Sequence, residues 1–333
     1  MLTPSLRILT FCAIAAVLPL RAASPGFLVV ANKGDHTVGF IDTAAGKQVA
    51  AVDEGDITGH ELAASPDGKF IYVPIYGNAG VGQPGTDGKV MVVIDAATRK
   101  IAGTLDFGRG IRPHCPIYDA KNNLLYVTTE LEQTISVIDP KSLKVIGKIP
   151  TGQPESHMLA ISHDGKRGYT ANVGPGTVSV IDLVGRRVIT VIPISGNTQR
   201  IAVSMDDSMV FTGDQTKPRL AVIDTATNKV KAWVPLPSAA YSGAPTPDGR
   251  FLLAPCRTAK QIAVVDLKTM MVVQTIDVPD APQEVLIRPD GRVAYVSCDK
   301  SGKVAEISTS SWKVTRLIDA GKLVDGMAWL AGS

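Results

Sequence analysis

Three histidines occupy the same place in a repeating phrase of this chain. His60 stands seven residues ahead of Asp67, His157 of Asp164, Arg200 of Asp207, Tyr241 of Asp248 and Gln283 of Asp290, and His114 and Asp325 take the same position when the surrounding phrases are aligned. An imidazole moves protons near neutral pH and ligates metals, while a guanidinium grips a carboxylate or phosphate through paired hydrogen bonds. The set therefore admits three chemistries. In one, His60, His114 and His157 bind a small anionic organic ligand, Arg200 fixes its acidic group, and Asp325 or Gln283 accepts from its hydroxyls. In another, the three imidazoles hold zinc or copper at about 2.0–2.1 Å with a position left for water or substrate, and Asp325 orients His60. In the third, the seven residues line a water-filled channel, and the protein is a non-enzymatic scaffold for another envelope protein.

The elements that would carry such a column are visible as a repeat. A motif of the form Val-x-Val-Ile-Asp ends at Asp42, Asp95, Asp139, Asp182, Asp224 and Asp266, with Ser308 in register, at spacings of 53, 44, 43, 42, 42 and 42 residues. Around it each unit repeats four strand-length phrases divided by Asp-Gly or similar turns. A period near 42 with four strands is one blade of a propeller, so the expected fold is an all-β, seven-bladed β-propeller with four-stranded antiparallel blades. The chain opens on a second-strand phrase, FLVVAN, and closes on a first-strand phrase, DGMAWLAGS. Strands near 27–32, 37–42 and 47–52 should thus take one near 325–330 as their innermost member, which closes the ring and protects its edges.

In such a ring the column starts every innermost strand, on the face where outer strands cross to the next blade. Inner strands about 7–8 Å from the axis put neighbouring Cα atoms about 6–7 Å apart, close enough for three histidines to share a centre. Second strands are about 10–11 Å apart, beyond the roughly 7 Å reach of a disulfide, so Cys256 and Cys298 are expected to be free thiols. The first repeat is lengthened by YGNAGVGQPGTDGK (76–89), which projects from the same face and is a candidate lid. Its Gly80-x-Gly82-x-x-Gly85 spacing matches a dinucleotide fingerprint, but a strand follows where a helix is required. His36 falls in an outer loop of the column's face and His163 in a turn of the opposite face.

The phrases IYVP, LYVT, GYTAN and AYVSC, with Pro-Asp-Gly at 66–68, 247–249 and 289–291, resemble the YVTN-repeat β-propellers across almost all of the chain. More distantly, Pro113-His114 together with arginine is similar to lactonase-type and muconate-cyclising seven-bladed propellers. That resemblance implies a lactonase-like enzyme as an alternative function, although no acidic residue aligns as the partner of the histidines.

Composition narrows the partners. Arg7, the apolar run Ile8 to Leu20 and the following Arg21-Ala22-Ala23 read as a secretory signal peptide over 1–22, cut after 22 or 23, ahead of one propeller domain over 25–333. Its loss lowers the formal net charge from +3 to +1, leaving no nucleic-acid footprint and no membrane span. A periplasmic or secreted monomer is expected. Three cysteines remain, Cys115, Cys256 and Cys298, too few for a disulfide framework.

Overall fold

The computed structural model describes residues 26–331; the expected signal peptide lies outside them. Seven four-stranded antiparallel sheets follow one another around a ring. Blade 1 joins both ends of the chain, with Val324–Leu330 innermost, followed by Phe27–Asn32, Thr37–Asp42 and Lys47–Asp53. Blade 2 runs from Thr58 to Asp106, blade 3 from Pro113 to Pro150, blade 4 from Ser156 to Pro193, blade 5 from Ile201 to Pro235, blade 6 from Ala244 to Asp277 and blade 7 from Pro282 to Asp319. The closure follows the sequence expectation: Phe27 pairs with Leu330, Leu28 with Trp329 and Val29 with Ala328. Among the described residues no helix is long and apolar enough to cross a membrane.

The repeat motif is a turn signal attached to a buried strand. Val178, Val180 and Ile181, in the third strand of blade 4, are wholly buried because each middle strand is covered by a neighbouring blade on both faces. The outermost strands alternate between exposed and half-buried positions, as strands covered on one face do. The closing aspartate of the motif holds the next turn: Asp42 Oδ1 accepts from the amides of Ala44 and Ala45, and Asp266 Oδ1 from those of Lys268 and Thr269, each at 2.9 Å. In the Pro-Asp-Gly turns, Asp67 and Asp248 accept from backbone amides two residues on, and Gly68 and Gly249 adopt the left-handed conformation that favours glycine.

The innermost strands are less regular, and their irregularity has a fixed place. Ladder register slips by one residue at 113–116 of blade 3, at His157 of blade 4, between Pro282 and Val285 of blade 7 and between Val324 and Met327 of blade 1. In blade 2 the same slip breaks the innermost strand into Thr58–Gly59 and Ala63–Ala64. In blade 5 pairing begins only at Ile201, past Arg200, and in blade 6 an isolated bridge of Ala240 with Cys256 is separated from the strand that starts at Ala244. A β-bulge turns consecutive side chains from strict alternation, so two neighbouring residues at each of these starts can face the axis. Gly326 allows the closing strand to meet the broken strand of blade 2: its amide donates to the His60 carbonyl at 3.0 Å, and a Cβ there would lie 2.6 Å from that oxygen.

Truncation after Gly321 removes the innermost strand of blade 1 and the Asp325 and Gly326 contacts with it. Urea unfolding of the truncated chain should lose its single cooperative transition; an unchanged midpoint and slope would show that closure does not hold the ring.

Candidate functional site

All seven column residues, His60, His114, His157, Arg200, Tyr241, Gln283 and Asp325, line one cavity of about 180 Å³ at the mouth of the channel. They come from blades 2, 3, 4, 5, 6, 7 and 1 in turn, which is the convergence the repeat register implies. Five more chargeable or polar side chains that the column did not include border the same cavity: Lys33, Glu61, Gln199, Arg257 and Asp299. Glu61, and Glu284 just behind it, follow the column residue directly and reach the axis because the strand is bulged there. Lys33, Arg257 and Asp299 form a second column, the first residue past the second strand of blades 1, 6 and 7.

At the floor of the mouth a single guanidinium is shared by three carboxylates. Arg200 Nη2 donates to Glu61 Oε1 at 2.5 Å and to Asp325 Oδ1 at 2.8 Å, while Nη1 lies 3.7 Å from Glu284 Oε1. Lys33 Nζ binds the other Asp325 oxygen at 2.7 Å, and the Met327 amide donates to Glu284 Oε2 at 2.6 Å. Burial works against charge on every member. On Arg200 the three carboxylates outweigh it and hold the guanidinium charged, and on Lys33 the Asp325 carboxylate does the same. Asp325, bound by both cations, is held well below the usual carboxylate range despite its burial. Glu61 and Glu284 have only a share of Arg200; burial dominates and pushes both up, Glu284 to about 7.

The histidines form an aromatic wall beside this cluster. His114 and His157 stack with ring centroids 3.7 Å apart, and His60 meets His114 edge-on at 5.5 Å. Stacked rings do not converge on a point, and among the described residues no group of three or more His, Cys, Asp or Glu is placed to hold a metal ion. Burial pushes His60 down to about 4, with Lys33 adding to the effect. Burial also takes His114 and His157 well below 6.5, helped by the neighbouring imidazoles and Arg200. All three rings are thus neutral at pH 7. Tyr76 braces them at centroid distances of 4.8 Å from His60 and 5.0 Å from His114, and its hydroxyl donates to Glu130 Oε2 at 2.5 Å.

The long loop of blade 2 lies over the mouth. Gly80 and Val81 are part of the cavity wall. Arg112 Nη2 donates to the Gln83 carbonyl at 2.5 Å, Arg112 Nε to Asp87 Oδ1 at 2.6 Å, and the Gly82 amide to Glu130 Oε1 at 3.2 Å. One ionic pair, Arg112 with Glu130, thus holds both the loop and the tyrosine behind the histidines.

Other sequence expectations resolve simply. Cys115, Cys256 and Cys298 are buried free thiols. His163 is half exposed and pairs with Asp207 at 2.6 Å, and His36 Nδ1 lies 3.2 Å from the Gly55 carbonyl in an outer loop. Arg200, read from the sequence as an anion clamp, has its guanidinium engaged by protein carboxylates.

The sequence matches the cytochrome D1 heme domain family over residues 118–328. No curated protein matches it. Among solved structures it is similar to Kuenenia stuttgartiensis hydrazine synthase, at 20% identity and a TM-score of 0.71, over 90% of this chain and 99% of that one. It is also similar to the dihydro-heme d1 dehydrogenase NirN in complex with DHE, at 13% identity and a TM-score of 0.66, over 94% of this chain and 77% of that one. At such identities the likeness is one of fold.

The neutral histidines set a pH dependence. An unfolded chain protonates them near 6.5 while the folded one resists, so their contribution is present above pH 6.5 and is lost as pH falls toward 4, at up to about 1.4 kcal/mol per pH unit for each ring. The raised Glu61 and Glu284 act oppositely, contributing at low pH and losing that contribution as pH rises, for Glu284 through about 7. Replacing His114→Asn and His157→Gln should therefore flatten the acid loss of stability between pH 6.5 and 4.5, measured by urea unfolding, by about two protons. Parallel curves for parent and variant would contradict neutral, buried imidazoles.

Proposed function

This chain belongs to the cytochrome D1 heme domain family, and on that premise we propose that it is a ligand-binding propeller whose channel mouth receives a small polar organic molecule. The observation that carries this reading is the convergence of seven equivalent strand starts on one cavity whose wall includes His114 and His157, the Nδ1 atoms of which are buried and without hydrogen-bond partners. Buried polar atoms are nearly always satisfied, and a cavity wall that leaves them open is suited to a ligand that supplies the missing bond. The Arg7-to-Ala23 leader supports action after export, in the periplasm. The IYVP, LYVT and AYVSC phrases support a YVTN-type propeller within the family's architecture.

The family name raises the question of a heme. A neutral imidazole is a common axial ligand of heme iron, so the donor is present. The space is not: about 180 Å³ falls short of the roughly 300–1,000 Å³ of pockets that enclose drug-sized ligands, and Gly80 and Val81 take up part of its wall. The residues present do not fit a tetrapyrrole. The polar wall and small volume of the mouth suit a much smaller guest.

Val81→Trp would fill the mouth without touching the Arg200 cluster. A small ligand at about a hundred times its Kd stabilises the parent by about 2.7 kcal/mol, and that thermal shift should vanish in the variant. A shift retained in Val81→Trp would place the ligand elsewhere. Saturable hemin binding to the parent but not to the variant would overturn the exclusion of a macrocycle.

A further inference from the structure

The charge of the ligand can be read from what its walls leave unspent. Every cationic group at the mouth is already engaged. Arg200 serves Glu61 and Asp325, Lys33 serves Asp325, and Arg257 donates to Gln283 Oε1 and faces Asp299 Oδ2 at 3.4 Å. The unspent capacity lies on other polar atoms of the wall. Of the buried side-chain atoms that lack a partner among the described residues, four belong to wall residues of this one cavity: His114 Nδ1, His157 Nδ1, Gln199 Oε1 and Asp299 Oδ1. His114, His157 and Asp299 are each more than nine-tenths buried. A carbonyl or carboxylate oxygen can only accept, and a neutral imidazole accepts at one of its two nitrogens.

The charged groups are paired among themselves. Glu61, Glu284, Asp299 and Asp325 stand at or just behind the wall against Lys33, Arg200 and Arg257. Asp325 is paired with Lys33, Asp299 with Arg257 and Glu61 with Arg200, while Glu284, behind the wall and pushed up to about 7 by burial, takes only a share of Arg200. An entering anion would have to break an existing ion pair. An entering cation would break none of these pairs and would meet the open oxygens of Gln199 and Asp299.

We propose that the molecule received by the mouth is a small organic ammonium ion, held by Asp299, Gln199 and the His114–His157 pair. This rests on the reading of the mouth as a ligand site and specifies the guest. Its N–H donors would supply what Gln199 Oε1 and Asp299 Oδ1 lack.

The test is calorimetric titration and thermal melting of the full chain, in amine-free buffer, with 2-aminoethanol, ethylene glycol and glycolate, which are of similar size and differ in charge. 2-Aminoethanol should bind saturably and at least about tenfold more tightly than ethylene glycol, with glycolate weakest. Asp299→Asn should weaken its binding about tenfold, and Gln199→Leu should weaken it independently, so that a folding defect in either variant does not decide the matter. Lys166→Ala, on the far face, should bind like the parent. If glycolate binds and 2-aminoethanol does not, the charge assignment is overturned while the mouth remains the ligand site. If none of the three binds, or if 2-aminoethanol binds Val81→Trp undiminished, the assignment and the site fall together.

Discussion

The structure is organised around one guanidinium held out of water at the axis of a ring. Arg200 reaches from blade 5 to carboxylates of blades 2, 7 and 1, so a single side chain ties four of the seven blades across the channel. A buried ion cluster of this kind is weak as a source of net stability, because desolvation cancels most of the attraction, but removing one partner costs about 3–5 kcal/mol by leaving the others uncompensated. The cluster also divides the channel. Above it lies the polar mouth of about 180 Å³; below it a wider space of about 440 Å³ runs past Cys115, Met158, Leu159 and Ile161, with Glu61 and Glu284 at its upper end.

What surrounds the cluster follows from that placement. A bulge at the start of an innermost strand turns two successive residues toward the axis, and this is how His60 and Glu61, or Gln283 and Glu284, serve one site from one strand. The positive charges of Lys33 and Arg200, added to burial, keep the imidazoles neutral and therefore able to accept hydrogen bonds. The Arg112–Glu130 pair then fixes Tyr76 behind the rings and the blade 2 loop above them. Floor, wall and cover are thus set by three separate local devices.

The ring was legible in the sequence because its markers are turns, and turn chemistry is local: Asp42 or Asp266 binds amides two and three residues on, with no help from distant chain. The His60–His114–His157 column was legible for the same reason, since register counted from a turn fixes which residues start a strand. Glu61 and Glu284 were missed because alternation assigns the residue after an inward one to the other face, and only a bulge reverses that. The second column, Lys33, Arg257 and Asp299, carries a 42-residue spacing between its last two members, but its residue types are mixed and no shared chemistry drew attention to it. The pairing that occupies Arg200 joins residues 139 and 125 positions apart, and no local pattern records such a contact.

The claim that decides the rest is that His60, His114 and His157 are neutral, buried and in contact with whatever enters the mouth. Their ring nitrogens can be followed directly by nitrogen-15 NMR of histidine-labelled protein between pH 7.5 and 5, with and without 2-aminoethanol. Neutral tautomer signals that persist for these three residues over that range, and that shift when the amine is added, are the predicted result. Protonation of His60, His114 and His157 near 6.5, with no response to the amine, would contradict it.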